Sequence, residues 1–161
     1  MASPPRLTRH VRPDSVADAL ATVSGAPLAL LGLGIPRCPA TQMLPASLGA
    51  VASARPELPV ALGILATPED WAARQALLWP RGIRISRSVV PVLFVLRDGH
   101  AVATRHGGAS AAVIDRWLAE QAGLGPSVLP DTWADEERSE LAMLAQRRAQ
   151  HAAVTGRGAA D

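Results

Sequence analysis

A single thiol stands just ahead of a predicted helix, and it is the side chain best suited to covalent chemistry. Cys38 is the only cysteine in the chain, and Pro39 follows it at the predicted first position of the helix. A sulfur placed there faces unpaired backbone N–H groups and the positive end of the helix dipole, which stabilise the thiolate that attacks disulfides. Cys38 is therefore the candidate nucleophile. The alternative is a small, half-buried apolar residue without reactivity.

The composition argues against several other kinds of site. One cysteine cannot form an intramolecular disulfide or a thiolate-rich zinc site, and the 4 histidines show no metal-ligand spacing. All 16 basic residues are arginines scattered along a chain of formal net charge +2, so no nucleic-acid partner is expected. The first residues carry no apolar signal region, and the longest apolar run is too short to span a membrane. We expect a cytoplasmic protein with no membrane partner, metal or cofactor.

Alternating helices and strands must position this thiol. The expected elements are a helix capped by Asp14 or Ser15, a strand over 28–33, a helix over 39–54 kinked at Pro45, a strand over 58–65, a helix after Thr67 stopped by Pro80, a hairpin turning at Asp98 and Gly99, and a helix from Ser110 to Gly123. Continuous apolar runs predict strands that are covered on both faces. The order of elements predicts an α/β protein with a four-stranded mixed sheet between helices.

The chain after residue 123 has a different character. A Pro/Gly linker leads into a helix capped at Thr132, and Trp133, Leu141 and Leu144 are its main apolar residues. About the last eight residues are expected to be disordered. The chain thus divides into a domain over 10–123 and a linker with a C-terminal helix over 124–161. The helix either docks on the domain or binds a partner.

Three stretches occur in an order that is typical of one family. They are CPATQMLP at 38–45, SVVPVLFVLRDGHAV at 88–102 and HGGAS before the last helix of the domain. Over residues 10–123 the chain resembles the thioredoxin-like superfamily. The resemblance implies a three-layer α/β/α sandwich with a mixed central sheet, followed here by the helical tail.

The resemblance also implies roles for individual residues. Thr41 occupies the position of the resolving cysteine of a CxxC turn, where its hydroxyl can donate a hydrogen bond to Cys38 but cannot release a bound partner. Pro91 matches the family's cis-proline, which brings the backbone of Val90 near the cysteine so that a partner peptide can pair with it. Cys38 and Thr41 are thus the predicted catalytic residues, and the predicted partner-binding residues are Arg37, Pro39, Val90 and Pro91.

Two departures from the family pattern bear on activity. Arg37 stands where the family usually has a tryptophan, and Gly32 stands where it often has a buried carboxylate. Two hypotheses remain. The chain is a monothiol redox protein that forms mixed disulfides with a client protein or a low-molecular-weight thiol, or it is a thioredoxin-fold binding module without turnover, such as a maturation chaperone of the hydrogenase-accessory type. The oligomeric state stays open.

Two further groups of side chains have simple interpretations. Trp71, Trp79 and Trp117 lie at helical spacing and are predicted to belong to the core. Arginines at 81, 84 and 87 precede the proline strand; most such loops are merely solvated, and the alternative is that they guide an acidic peptide or glutathione toward the cysteine.

Overall fold

Five strands form one mixed sheet in the middle of the chain. The structure is a computed structural model that describes residues 10–125 and 132–158. The strands are β1 (Pro13–Asp14), β2 (Leu28–Gly34), β3 (Val60–Ile64), β4 (Val92–Arg97) and β5 (His100–His106), and their order across the sheet is β1-β3-β2-β4-β5. The β1/β3 and β2/β3 pairs are parallel, whereas β2/β4 and β4/β5 are antiparallel.

Helices cover both faces of this sheet. They are α1 (Val16–Val23), α2 (Pro39–Gln42), α3 (Leu44–Ala54), α4 (Pro68–Ala73), α5 (Ala111–Ala122) and α6 (Thr132–Gly158). A π-helical turn, Arg74–Leu78, and a 3-10 turn, Trp79–Arg81, continue α4. The helix α1 and the segment from α4 to residue 85 pack on one face, and α3 and α5 pack on the other, so the architecture is the expected α/β/α sandwich.

The central strands are apolar throughout because each contributes to two cores. Along β4, Val92, Phe94 and Leu96 point to the α1 side, while Leu93 and Val95 point to the α3 and α5 side. Successive side chains of a strand point to opposite faces, so a strand covered on both sides needs apolar residues at every position. These five residues are almost completely buried.

Local capping signals fix most of the helix starts. Ser15 and Ser110 accept a backbone N–H of the first turn, and Thr67 forms a capping box with Asp70. Gly123, in the left-handed conformation, ends α5 as expected. The Asp98-Gly99 turn joins β4 to β5, with an irregularity between Val95 and Leu96.

The sheet and the helices after the cysteine differ from expectation in three places. The sheet has a fifth strand, β1, whose two residues are too few to leave a periodic signal. The predicted helix 39–54 is divided at Met43, just before Pro45, which lacks the N–H that would continue the ladder. Pro80 does not stop the helical segment; it lies inside the 3-10 turn, which ends at Gly82.

The predicted tail helix is present as α6, which contacts α5 and continues to Gly158. The division of the chain near residue 123 and the disorder of its last residues stay predictions. Leu144 is 37% exposed, and the side chains of Trp133 and Leu141 lie outside the described residues. Within the described ranges, no helix is both long and apolar enough to cross a membrane.

Candidate functional site

Cys38 lies in the turn that joins the end of β2 to α2. It is the N-cap residue of α2, with extended backbone angles (φ −92°, ψ 120°), and its side chain is partly exposed. Arg37, directly before it, is exposed and has a φ of 62°, a conformation that costs energy in a residue with a Cβ atom. The turn therefore leads the chain sharply out of the sheet and presents the thiol at the surface.

Polar groups of the first turn of the helix lower the pKa of the Cys38 thiol. The backbone N–H of Thr41 has the largest effect, followed by the Thr41 hydroxyl, and the N–H of Ala40 also contributes. Partial burial opposes these groups, yet together they lower the pKa of the Cys38 thiol below its ordinary value. Because donors stabilise the negative charge of the thiolate, the turn favours the reactive form of the sulfur.

Thr41 is buried, 5% exposed, and its hydroxyl oxygen accepts the N–H of Ile35 at 3.4 Å. The same hydroxyl is one of the groups that lower the pKa of the Cys38 thiol. The side chain thus connects the strand end to the turn that carries the thiol. A valine of the same shape would lose the hydrogen bond to Ile35 and the effect of the hydroxyl on the thiol.

Gly34, the last residue of β2, makes room for Thr41. A Cβ atom added at Gly34 would lie 2.4 Å from Cγ2 and 2.7 Å from Oγ1 of Thr41, which is closer than nonbonded atoms approach. The absence of a side chain at 34 is therefore a condition for Thr41 to occupy its position in the turn. Sequence reasoning missed Gly34, because the pattern of β2 does not reveal which neighbour it meets.

A second segment closes the site on the side of β4. The Val90–Pro91 peptide bond is cis, which is the geometry that the resemblance implies, and Pro91 is buried. The pairing of Leu33 with Val92 places Pro91 at the same end of the sheet as the cysteine turn. The carbonyl of Pro91 accepts the N–H of Gly107 at 2.8 Å.

Gly108 connects that segment to the cysteine helix. A Cβ at Gly108 would lie 2.7 Å from the carbonyl oxygen of Ala40 and 2.9 Å from the sulfur of Met43. The loop before α5 therefore packs directly on α2. The two glycines of HGGAS belong to the site, although the sequence indicated only that the stretch fits the family.

A cavity of ≈ 260 Å³ lies behind the cysteine turn, toward β1 and β3. Among the predicted site residues, Arg37 and Thr41 line it. The rest of its wall is made by Pro13, Ile35, Pro36, Gln42, Pro45, Leu62 and Ile64. The cavity gives solvent a route to the Thr41 side of the turn.

The nearest described neighbours of Gly32 are apolar. Leucine side chains surround it: a Cβ there would lie 3.1 Å from Leu48, 3.2 Å from Leu62 and 3.3 Å from Leu93. A carboxylate would have neither space nor a polar partner among these side chains. Among the described residues there is also no group of three or more side chains that could hold a metal ion.

The structure thus gathers the predicted residues at one end of the sheet. Arg37, Cys38, Pro39 and Thr41 share the turn, and Val90 and Pro91 stand at the adjacent strand end. Two residues that the sequence did not indicate, Ile35 and Ala40, supply backbone N–H groups to Thr41 and Cys38. The roles of all of these residues in binding and catalysis stay predictions.

Comparison with known proteins identifies the fold. No protein-family model and no curated protein matches the chain. Among solved structures, thioredoxin f2 of Chlamydomonas reinhardtii is similar with a TM-score of 0.52 at 12% identity, over 72% of this chain and 99% of that one. The oxidised thioredoxin of Plasmodium falciparum has a TM-score of 0.50 at 12% identity, over 68% of this chain and 96% of that one. The chain therefore has a thioredoxin-like fold.

Proposed function

We propose that this chain is a monothiol thioredoxin-like protein that forms mixed disulfides through Cys38, with a client protein or a low-molecular-weight thiol as partner. The observation that carries the proposal is the position of the partly exposed Cys38 as the N-cap residue of α2, where the N–H groups and hydroxyl of the first turn lower the pKa of the thiol. A cytoplasmic location is part of the proposal, because thiols there are kept reduced.

The proposed reaction is a simple exchange. The Cys38 thiolate attacks one sulfur of a disulfide such as oxidised glutathione, a new S–S bond forms, and the old S–S bond breaks. The leaving glutathione thiolate takes up a proton from water. The number of disulfides is unchanged, so no further oxidant or reductant is needed for this step. Thr41 supplies no second thiol, so release requires a thiol from another molecule.

The rate of alkylation of Cys38 as a function of pH tests the proposal. We expect an alkylation pKa below the ~8.5 of a free cysteine and, with oxidised glutathione, an adduct that carries one glutathione by mass spectrometry. Thr41→Val should raise the alkylation pKa, and Cys38→Ser, the matched control, should form no adduct. An alkylation pKa at or above that of free cysteine, with no adduct at neutral pH, would reject the proposal.

A binding module without turnover is the second candidate, and the surroundings of Gly32 and Thr41 favour it. The nearest described neighbours of Gly32 are leucines, and Cys38 is the only cysteine in the sequence. Under this alternative, including a maturation chaperone of the hydrogenase-accessory type, the Val90–Pro91 segment or α6 holds a client while Cys38 stays unmodified.

Insulin-disulfide reduction with dithiothreitol separates the two candidates. We expect negligible activity for the wild type and measurable activity for Thr41→Cys, because the second thiol completes a CxxC turn. Gln42→Cys, one residue along, serves as the matched control, since its thiol stands at the wrong spacing. An inactive Thr41→Cys variant that keeps the wild-type melting temperature would favour the binding module.

A further inference from the structure

One stretch of this nearly neutral chain carries arginines without any acidic residue among them. Between Asp70 and Asp98 there is no acidic residue, whereas the same stretch has arginines at 74, 81, 84, 87 and 97. The formal net charge of the whole chain is only +2. The stretch runs from α4 to the end of β4, so it includes the loop that leads into Val90 and Pro91.

Three of these arginines stack on two tryptophans. The guanidinium carbons of Arg74 and Arg87 lie 4.9 Å and 5.0 Å from the ring centre of Trp71. That of Arg84 lies 4.7 Å from the ring centre of Trp79. We call these five residues the Arg-Trp surface. Stacking on a ring holds a guanidinium in a fixed plane, so that edge N–H groups not used within the protein are oriented to bind a carboxylate.

Trp79, Arg84 and Arg87 of this surface are exposed, whereas Trp71 and Arg74 are half-buried. Trp79, predicted to be a core residue, is instead 40% exposed, because the 3-10 turn directs it outward. Arg74 donates to the carbonyls of Trp71 and Ile85, which anchors it. The ion pair described in the structure joins two other residues, Arg55 and Asp115, and none is described for Arg74, Arg84 or Arg87.

The acids nearest in the chain do not compensate for this charge. Asp70 is engaged at the start of α4, where its oxygens accept N–H groups of Ala66, Thr67 and Val16 and the hydroxyl of Thr67. Glu69, its exposed neighbour, belongs to the same first turn. Val89, 39% exposed, adds an apolar patch between the arginines and Pro91.

We propose that the Arg-Trp surface is a docking site for an acidic protein segment that also carries apolar side chains. Fixed guanidinium planes match carboxylates, and Trp79 and Val89 offer apolar contact between the charges. The loop ends at Val90 and Pro91, so a segment bound here extends toward the end of the sheet that holds Cys38. The surface does not depend on the thiol and goes beyond the proposed exchange reaction.

Fluorescence anisotropy of a labelled peptide tests the inference in the full-length Cys38→Ser protein, where no disulfide can form. The probe is a peptide of repeated Glu-Pro-Val triplets, and a Gln-Pro-Val peptide is its neutral counterpart. Arg84→Ala/Arg87→Ala should weaken binding of the acidic probe about fivefold to tenfold, since two exposed charge pairs are lost. Arg84→Lys/Arg87→Lys, which keeps the charges but loses the planar stacks, should weaken it about twofold to threefold.

Arg97→Ala/Arg116→Ala is the matched control, because it removes the same amount of charge at positions outside this surface. Its affinity for the acidic probe should stay within about twofold of that of the Cys38→Ser protein with all its arginines. Thermal melts of every variant identify any that fails to fold. Equal loss in both double alanine variants would show a general charge effect and overturn the inference. The inference is also overturned if the neutral peptide binds as tightly as the acidic probe, or if the acidic probe does not bind. It is overturned as well if an oligothymidine binds more tightly than the acidic probe and the Arg84→Ala/Arg87→Ala variant abolishes that binding.

Discussion

Helices α2 and α3 follow each other along the chain, and polar groups act in opposite ways at the start of α2 and at the end of α3. At the far end, Arg55 caps α3 and its Nε lies 2.8 Å from Oδ1 of Asp115 on α5, with both side chains buried. Its Nη2 donates to Oδ2 of Asp115 at 3.3 Å and to the carbonyl of Gly125 at 2.9 Å. At the near end, the first turn of α2 lowers the pKa of the partly exposed Cys38 thiol.

The comparison separates a structural role from a chemical one. The Arg55–Asp115 pair neutralises its own charge inside the protein, so it fixes α3 against α5 and offers nothing to solvent. The cysteine turn stabilises a negative charge that forms only when the thiol ionises, and it leaves the sulfur accessible. Changes at the far end should therefore alter stability, whereas changes at the near end should alter the thiol.

The largest expected effect is at the far end. Asp115→Ala leaves a buried guanidinium without its partner and should lower the free energy of unfolding by about 3–5 kcal/mol. Urea unfolding measures this loss. In the Arg55→Met/Asp115→Leu variant neither charge remains, and most of the stability should return. A loss of less than 1 kcal/mol in Asp115→Ala would mean that the pair does not hold the two helices together.

Gly34→Ala should have an intermediate effect, and it should change both the stability of the fold and the pKa of the thiol. The added Cβ meets Thr41, so overpacking should cost about 1–3 kcal/mol and the displaced hydroxyl should let the alkylation pKa of Cys38 rise. Gly25→Ala is the matched control, because nothing lies within 4 Å of its added Cβ. Thr41→Ala in the Gly34→Ala background should recover part of the stability. Unchanged stability and pKa in Gly34→Ala would contradict the close approach of the two residues.

The smallest effect is the dependence of stability on pH at the near end. The pKa of Cys38 is lowered in the folded state, so ionisation of the thiol stabilises the fold. This contribution is complete at a pH above the pKa of the unfolded thiol, ~8.5, and is lost as the pH falls through the pKa of the folded state. The difference in unfolding free energy between wild type and Cys38→Ser should therefore increase with pH across that interval. A difference that stays constant would show that the turn does not stabilise the thiolate.

Local signals explain why much of this architecture could be predicted from the sequence. Ser15, Thr67 and Ser110 cap their helices through residues only a few positions away, and the Asp98-Gly99 turn contains its own signal. The turn around Cys38 could be predicted in the same way, because Pro39 and Thr41 are its neighbours in the sequence.

Contacts between distant segments were not predictable in the same way. Arg55 and Asp115 are 60 positions apart, and nothing near either residue indicates the other. The clearance that Gly34 gives to Thr41 depends on how the turn folds back over the strand. Helical spacing predicts Trp79 in the core. The chain instead changes to π and 3-10 turns after Ala73, and Trp79 lies at the surface.

One carboxylate near the sheet edge links two helices of the same layer. Asp70 holds the start of α4 through Thr67 and also accepts the N–H of Val16, the first residue of α1, at 3.4 Å. Burial opposes ionisation, but the hydrogen bonds from Thr67, Val16 and Ala66 outweigh it and lower the pKa of Asp70. Its stabilising contribution is complete above the unfolded pKa and is lost as acid protonates the folded carboxyl. A single proton therefore weakens hydrogen bonds at the starts of both α1 and α4.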